Sequence, residues 1–179
     1  MKLEFSNPMC QVYLGDCYDS LPIADKSVDL ILTDPPYGIN YVSGRRFNKF
    51  GGIAGDKNFP FTLMSRVLRE AHRVLKDTGA LYIFTGYTSY PRLLDLMADD
   101  YSHAFKLGVP IIWVKSNWGA GALDSDWGNR IELIVYARRP AHRFMGARPT
   151  NALMFKRVDN LTHPTEKPTE LLSYIISKS

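Results

Sequence analysis

The chain has 179 residues, 45% of them hydrophobic and 22% charged, which excludes a disordered segment and is enough for one domain with its own core. Lys and Arg total 22 against 18 Asp and Glu, and the net charge of +4 suits a polyanionic partner without requiring one. Two cysteines, Cys10 and Cys17, exclude a disulfide framework and a finger-type zinc site, and the four scattered histidines form no metal-binding spacing.

Residues Gln11 to Leu14 predict a short strand that ends at Gly15-Asp16. No apolar signal region opens the chain and no apolar run is long enough for a bilayer, so the expected setting is cytoplasmic, away from membranes. Val28 to Thr33 is a β-rich run that stops at the proline pair Pro35-Pro36, since proline cannot donate to a ladder. The segment Gly38 to Phe59 reads as a long loop. From Phe61 to Lys76 the apolar residues Met64, Val67, Leu68, Ala71, Val74 and Leu75 fall on one helical face, and Thr78-Gly79 supplies a stop. Ala80 to Thr85 predicts a buried strand, and Tyr90 to Asp99 a helix with Pro91 in its first turn. Val109 to Lys115 and Ile131 to Ala137 predict two more strands, joined through a glycine-rich link. His142 to Thr165 reads as irregular, and a last helix starts near Pro168. Strands alternating with helices predict an α/β fold, a single domain over 1–179.

Asp34-Pro35-Pro36-Tyr37 stands at the carboxyl end of the Val28 to Thr33 strand, where open α/β sheets bind their ligands. It brings together a carboxylate, backbone carbonyls without neighbouring N–H donors, and an aromatic face. Such an acceptor-rich corner suits a planar ring bearing an NH2. If Asp34 and the Pro35 carbonyl accept both amine hydrogens, the nitrogen lone pair localises and the amine becomes a nucleophile. Tyr37 supplies a stacking face.

In this context the tetrapeptide resembles motif IV of the S-adenosylmethionine-dependent amino methyltransferases of DNA. Gly15-Asp16-Cys17 resembles the family's short acidic turn near the cofactor. Arg73-Val74-Leu75-Lys76 before Gly79 to Phe84 is similar to a helix end and strand of the family. Arg130 to Tyr136 resembles motif VIII, and His163-Pro164-Thr165-Glu166-Lys167-Pro168 resembles motif X. Their order is that of the β group. The resemblance implies a Rossmann-like methyltransferase sheet with helices on both faces. It also implies methyl transfer from S-adenosylmethionine to a base flipped out of double-stranded DNA, at a cost of about a few kcal/mol. Asp34, Pro35, Pro36 and Tyr37 would be catalytic. Asp16, Cys17, Asp34, Thr165 and Lys167 would hold the cofactor, with Lys167 on its carboxylate. Aspartate in the first position points to the N6 amine of adenine; N4 of cytosine is the alternative.

Six basic residues and no acid lie between Ala137 and Val158, and this basic stretch, about 138–160, is the expected target-recognition segment. Arg138, Arg139 and Arg143 are its expected phosphate contacts, with Arg45 and Arg46 in a second basic patch after the tetrapeptide. The chain departs from the family pattern in one respect: no Phe-x-Gly-x-Gly turn occurs in it, so the fold is expected to be incomplete at the C-terminal end. The readings that follow are a piece of a larger enzyme, half of a split methyltransferase completed by self-association or by a complementing chain, or a DNA-binding remnant without catalysis.

Overall fold

The computed structural model describes residues 1–16, 19–38, 58–116, 125, 127–158 and 165–179. Two sheets are present among them. The first is a hairpin of β1 (Lys2–Asn7) and β2 (Cys10–Leu14), closed over Pro8 and Met9, where the Asn7 side-chain oxygen accepts from the backbone N–H groups of Met9 and Cys10. The second sheet has the order β3-β4-β7-β6-β8, with a two-residue strand β5 also pairing with β7. Its strands are β3 (Val28–Thr33), β4 (Leu75–Thr85), β5 (Lys106–Leu107), β6 (Ile111–Val114), β7 (Ile131–Arg138) and β8 (Ala152–Met154). β3 and β4 run parallel, β7 runs against β4 and β6, and β8 runs with β6.

Side-chain alternation along the central strands divides the core in two. Leu81 and Ile83 of β4 and Val135 and Ala137 of β7 face a layer built by α1 (Phe61–Val74) and α2 (Tyr90–Asp100). Ala80, Tyr82 and Phe84 of β4 and Ile134 and Tyr136 of β7 face Trp113, Leu153 and the helix α3 (Thr169–Ile176). Both faces of the sheet are thus covered, as an α/β arrangement requires. Among the described residues β3 has a neighbour on one side only. No helix among them is long and apolar enough to cross a membrane.

Three boundaries differ from the sequence expectation by two residues or more. α1 ends at Val74 rather than Lys76, and Leu75 turns directly into β4 without a loop. Leu75 is fully buried and pairs with Val28, so tertiary packing overrides its helical spacing. Gly79 is not the helix stop but part of β4. A Cβ there would meet Leu75 Cδ2 at 2.7 Å, so the missing side chain is what admits the leucine. The Val109 to Lys115 run contributes only Ile111–Val114. The register against β7 slips by one residue between Leu107 and Ile111, across Gly108, Val109 and Pro110. The stretch after His142 contains β8, a three-residue strand too short to show a period.

Candidate active site

The carboxyl ends of β3, β4 and β6, the start of β7 and the entry to α3 meet at one end of the large sheet. Asp34 follows β3 directly, and the two prolines carry the chain over to Tyr37. Tyr37 Oη lies 2.7 Å from Asp34 Oδ1 and 3.3 Å from Glu132 Oε2, so its single proton goes to Asp34 over the shorter contact. Its backbone carbonyl accepts a hydrogen bond from Ser89 Oγ, a hydroxyl buried just ahead of α2. Gly38 closes the turn at φ +72°, and a Cβ there would stand 2.4 Å from the Phe59 backbone nitrogen. Only glycine fits that close approach without displacing backbone.

Lys167 closes the group from the other side. It stands two positions before the first residue of α3 and its side chain is only 8% exposed. Its ammonium donates to Asp34 Oδ2 at 2.7 Å and to the Thr165 carbonyl at 3.1 Å, and lies 3.5 Å from Glu132 Oε2. It also sits over the Phe84 ring at 5.2 Å and the Tyr37 ring at 5.7 Å. Glu132, the second residue of β7, is 18% exposed and pairs with Lys115 at 2.7 Å, just past the end of β6. The Lys115 N–H donates to the Arg130 carbonyl, which continues the ladder up to the site.

Two carboxylates and two ammonium groups therefore alternate around one phenol. Burial pushes the Glu132 carboxyl up, but Lys167 and Lys115 outweigh it and hold the group below the usual glutamate value. Burial, then the charges of Glu132 and Asp34, push the Tyr37 phenol far above its ordinary value, so it stays a donor. Both Asp34 oxygens already accept one hydrogen bond. A carboxylate offers about four lone-pair positions, so room remains for an incoming N–H.

The site residues expected from sequence are brought together only in part. Asp34, Pro35, Pro36, Tyr37, Thr165 and Lys167 meet at this end. Lys167 donates to Asp34. Asp16 follows β2 on the separate hairpin, while Cys17, Arg45 and Arg46 lie outside the described residues. The expected DNA contacts Arg138, Arg139 and Arg143 lie at the other end of the sheet. Arg138 ends β7, and because β7 runs against β4 it pairs with Ala80, at the opposite end of the sheet from Thr85 and Asp34. Six strand steps separate Arg138 from Glu132, about 20 Å. Arg139 is 9% exposed. Its guanidinium donates to the Ala104 carbonyl at 2.8 Å and to Asp77 at 3.2 Å, so it ties β7 to the turn after α2. Arg143 belongs to that far end as well, with its guanidinium on the His142 carbonyl at 2.7 Å. Sequence reasoning did not single out Glu132 and Lys115. Their signal is a charge set at the end of an apolar strand, where solvation would be easier than burial.

The DNA methylase family of N6 and N4 enzymes matches residues 28–151. The chain is 29% identical to the DNA adenine methyltransferase YhdJ of Escherichia coli K12 over 98% of its own length and 69% of that protein. It is 24% identical to the type II methyltransferase M.HpaI of Haemophilus parainfluenzae, spanning 88% of itself and 55% of the relative. The fold is similar to the PvuII cytosine-N4 DNA methyltransferase, with a TM-score of 0.70, 15% identity, and coverage of 93% of this chain and 68% of the other. It is also similar to M1.HpyAVI in complex with SAM, with a TM-score of 0.59, 21% identity, and coverage of 85% and 65%. The chain thus spans roughly half to two thirds of the proteins it matches, and the matched stretch runs from β3, through the tetrapeptide, to the residue before β8. This chain belongs to the N6/N4 DNA methylase family.

Proposed function

We propose that the chain is the amine-recognising part of a DNA methyltransferase that modifies the N6 amine of adenine. The observation that carries this reading is the Asp34 carboxylate, held from both sides by Tyr37 and Lys167 at the carboxyl end of β3. In this reading Asp34 accepts one amine hydrogen and the Pro35 carbonyl the other. Tyr37 stacks against the base, and Lys167 holds the Asp34 carboxylate in place. Asp34 and Lys167 are positioned before substrate arrives, so little reorganisation is left for the reacting state. S-adenosylmethionine, named with the similar M1.HpyAVI structure, supplies the electrophilic methyl group.

The described residues fit the amine side of that reaction. Lys167, which donates to Asp34 and to the Thr165 carbonyl, has a third ammonium donor and is the residue that would hold the carboxylate of the cofactor. The proposal extends to a second source for the missing half, either a longer chain or a complementing copy. Adenine is favoured over cytosine by the aspartate at position 34 and by the similarity to an adenine methyltransferase.

The test is methyl transfer by the full-length protein from labelled S-adenosylmethionine to double-stranded DNA, followed by nucleoside analysis. The expected product is N6-methyladenine, reduced about a hundredfold or more in Asp34→Ala. N4-methylcytosine as the product would overturn the adenine assignment. Unchanged turnover in Asp34→Ala would overturn the role of the carboxylate.

A further inference from the structure

The far end of the sheet carries a cavity of about 590 Å³, lined by β4, β6, β7, the turn after β7, β8 and the C-terminal turn of α3. Four cationic side chains line it, Arg138, Arg143, Arg148 and Lys178, and no carboxylate does. None of the four is in a salt bridge with a described residue; Arg143 donates to the His142 carbonyl and Lys178 sits over the Tyr174 ring, and neither contact offsets the charge. Tyr136 and His142, 7% and 5% exposed, line the same cavity. The Tyr136 Oη and the His142 Nε2 are buried and have no hydrogen-bond partner. His142 Nδ1 lies 2.9 Å from the Thr78 carbonyl and so carries the proton in the neutral ring, which leaves Nε2 as an acceptor. Burial, then Tyr82, push the Tyr136 phenol up to about 12, so Tyr136 is a donor at neutral pH.

Buried polar groups are nearly always paired, and two unpaired ones beside four cations without a counter-charge among the described residues call for a partner. The cations and the phenol ask for an anion with several oxygens. The imidazole asks for a hydroxyl or amine. The half-buried Phe144, stacked on Tyr136 at 5.7 Å, offers an aromatic wall. A concave site of this volume takes a small molecule, whereas a duplex needs an open surface. We propose that this cavity binds a phosphorylated ligand of mononucleotide size: phosphate on the arginines and Tyr136, a sugar hydroxyl or ring amine on His142, the ring against Phe144. It stands apart from the Asp34 group by about 20 Å, the length of β7 between Glu132 and Arg138.

The experiment is calorimetric titration of the full-length protein with adenosine 5′-monophosphate, adenosine and inorganic phosphate, with the His142 ring followed by NMR. Binding of the nucleotide, weaker binding of phosphate and little of adenosine are expected, with a shift of the His142 signal. Arg143→Ala with Arg148→Ala should weaken the nucleotide at least tenfold, since charge-assisted contacts are lost from exposed side chains that do not build the core. Asp34→Ala should leave its affinity unchanged. Equal affinity in the double arginine variant would overturn the proposal, as would loss of binding in Asp34→Ala, or adenosine binding as tightly as the nucleotide. No heat at millimolar nucleotide would overturn it as well. Phe144→Ala is the second variant, with a severalfold loss expected for the nucleotide and none for phosphate.

Discussion

The two ends of β7 carry charge in opposite ways. At its first residues Glu132 sits between two lysines, beside Asp34 and Tyr37, and every charge there has a counter-charge within 3.5 Å. At its last residues Arg138 and the neighbouring Arg143, Arg148 and Lys178 gather positive charge with no acid among them. A balanced group is rigid and holds its geometry without a ligand, which suits a neutral, planar substrate that must be oriented. An unbalanced group is complete only when an anion arrives. Two unrelated kinds of recognition are thus built on one strand, and the antiparallel direction of β7 keeps them apart.

Substitutions at the two ends should separate cleanly. The largest effect is expected for Asp34→Ala, with methyl transfer down about a hundredfold or more and Arg143→Ala with Arg148→Ala leaving it unchanged. Equal losses in both would break the division between the ends, and radiolabel incorporation into DNA measures it.

Glu132→Gln comes next. It leaves Lys115 and Lys167 without their shared counter-charge, and since the group is only partly shielded from solvent a loss of about 1–3 kcal/mol is expected by urea denaturation. The pH dependence has a definite sign. Because the folded value of Glu132 is depressed, its stabilisation is fully present above the ordinary glutamate value of about 4.3 and is lost as pH falls below it towards the folded value. Wild type should therefore lose stability in that acid range and Glu132→Gln should lose less.

Arg139→Ala is expected to cost about 1–2 kcal/mol, because it removes hydrogen bonds to the Ala104 carbonyl and to Asp77. DNA affinity and its salt slope should not change, whereas a slope reduced by about one would make Arg139 a phosphate contact. The smallest effect belongs to Lys76→Ala, which breaks an exposed pair with Asp29 and should shift stability by less than about 1 kcal/mol in a thermal melt.

The parts of the fold that the sequence made legible are those with a strong local signal. Val28 to Thr33, Ala80 to Thr85 and Ile131 to Ala137 are apolar runs bounded by turns, and α2 and α3 start at prolines. The tetrapeptide was legible because its chemistry is local: four consecutive residues hold the carboxylate and the phenol. What depends on pairing between distant strands was not. The direction of β7 decides that Glu132 joins Asp34 while Arg138 does not, and nothing in the run Ile131 to Ala137 encodes that direction. β1 escaped notice because its side chains are exposed on both faces, so Leu3 and Phe5 gave too short an alternation to read.

The direct passage from α1 into β4 at Leu75 carries a further consequence. In most α/β units a loop of two to six residues lets a helix end fray while the strand stays paired. Here the last helical residue is followed at once by one that pairs with Val28, and the Lys26 and Ser27 N–H groups donate to the Arg73 and Val74 carbonyls at that junction. Loosening the end of α1 therefore pulls on the edge strand whose far end holds Asp34. The amides of the last turn of α1 and of β3 should open as one unit, with protection against hydrogen exchange that rises and falls together.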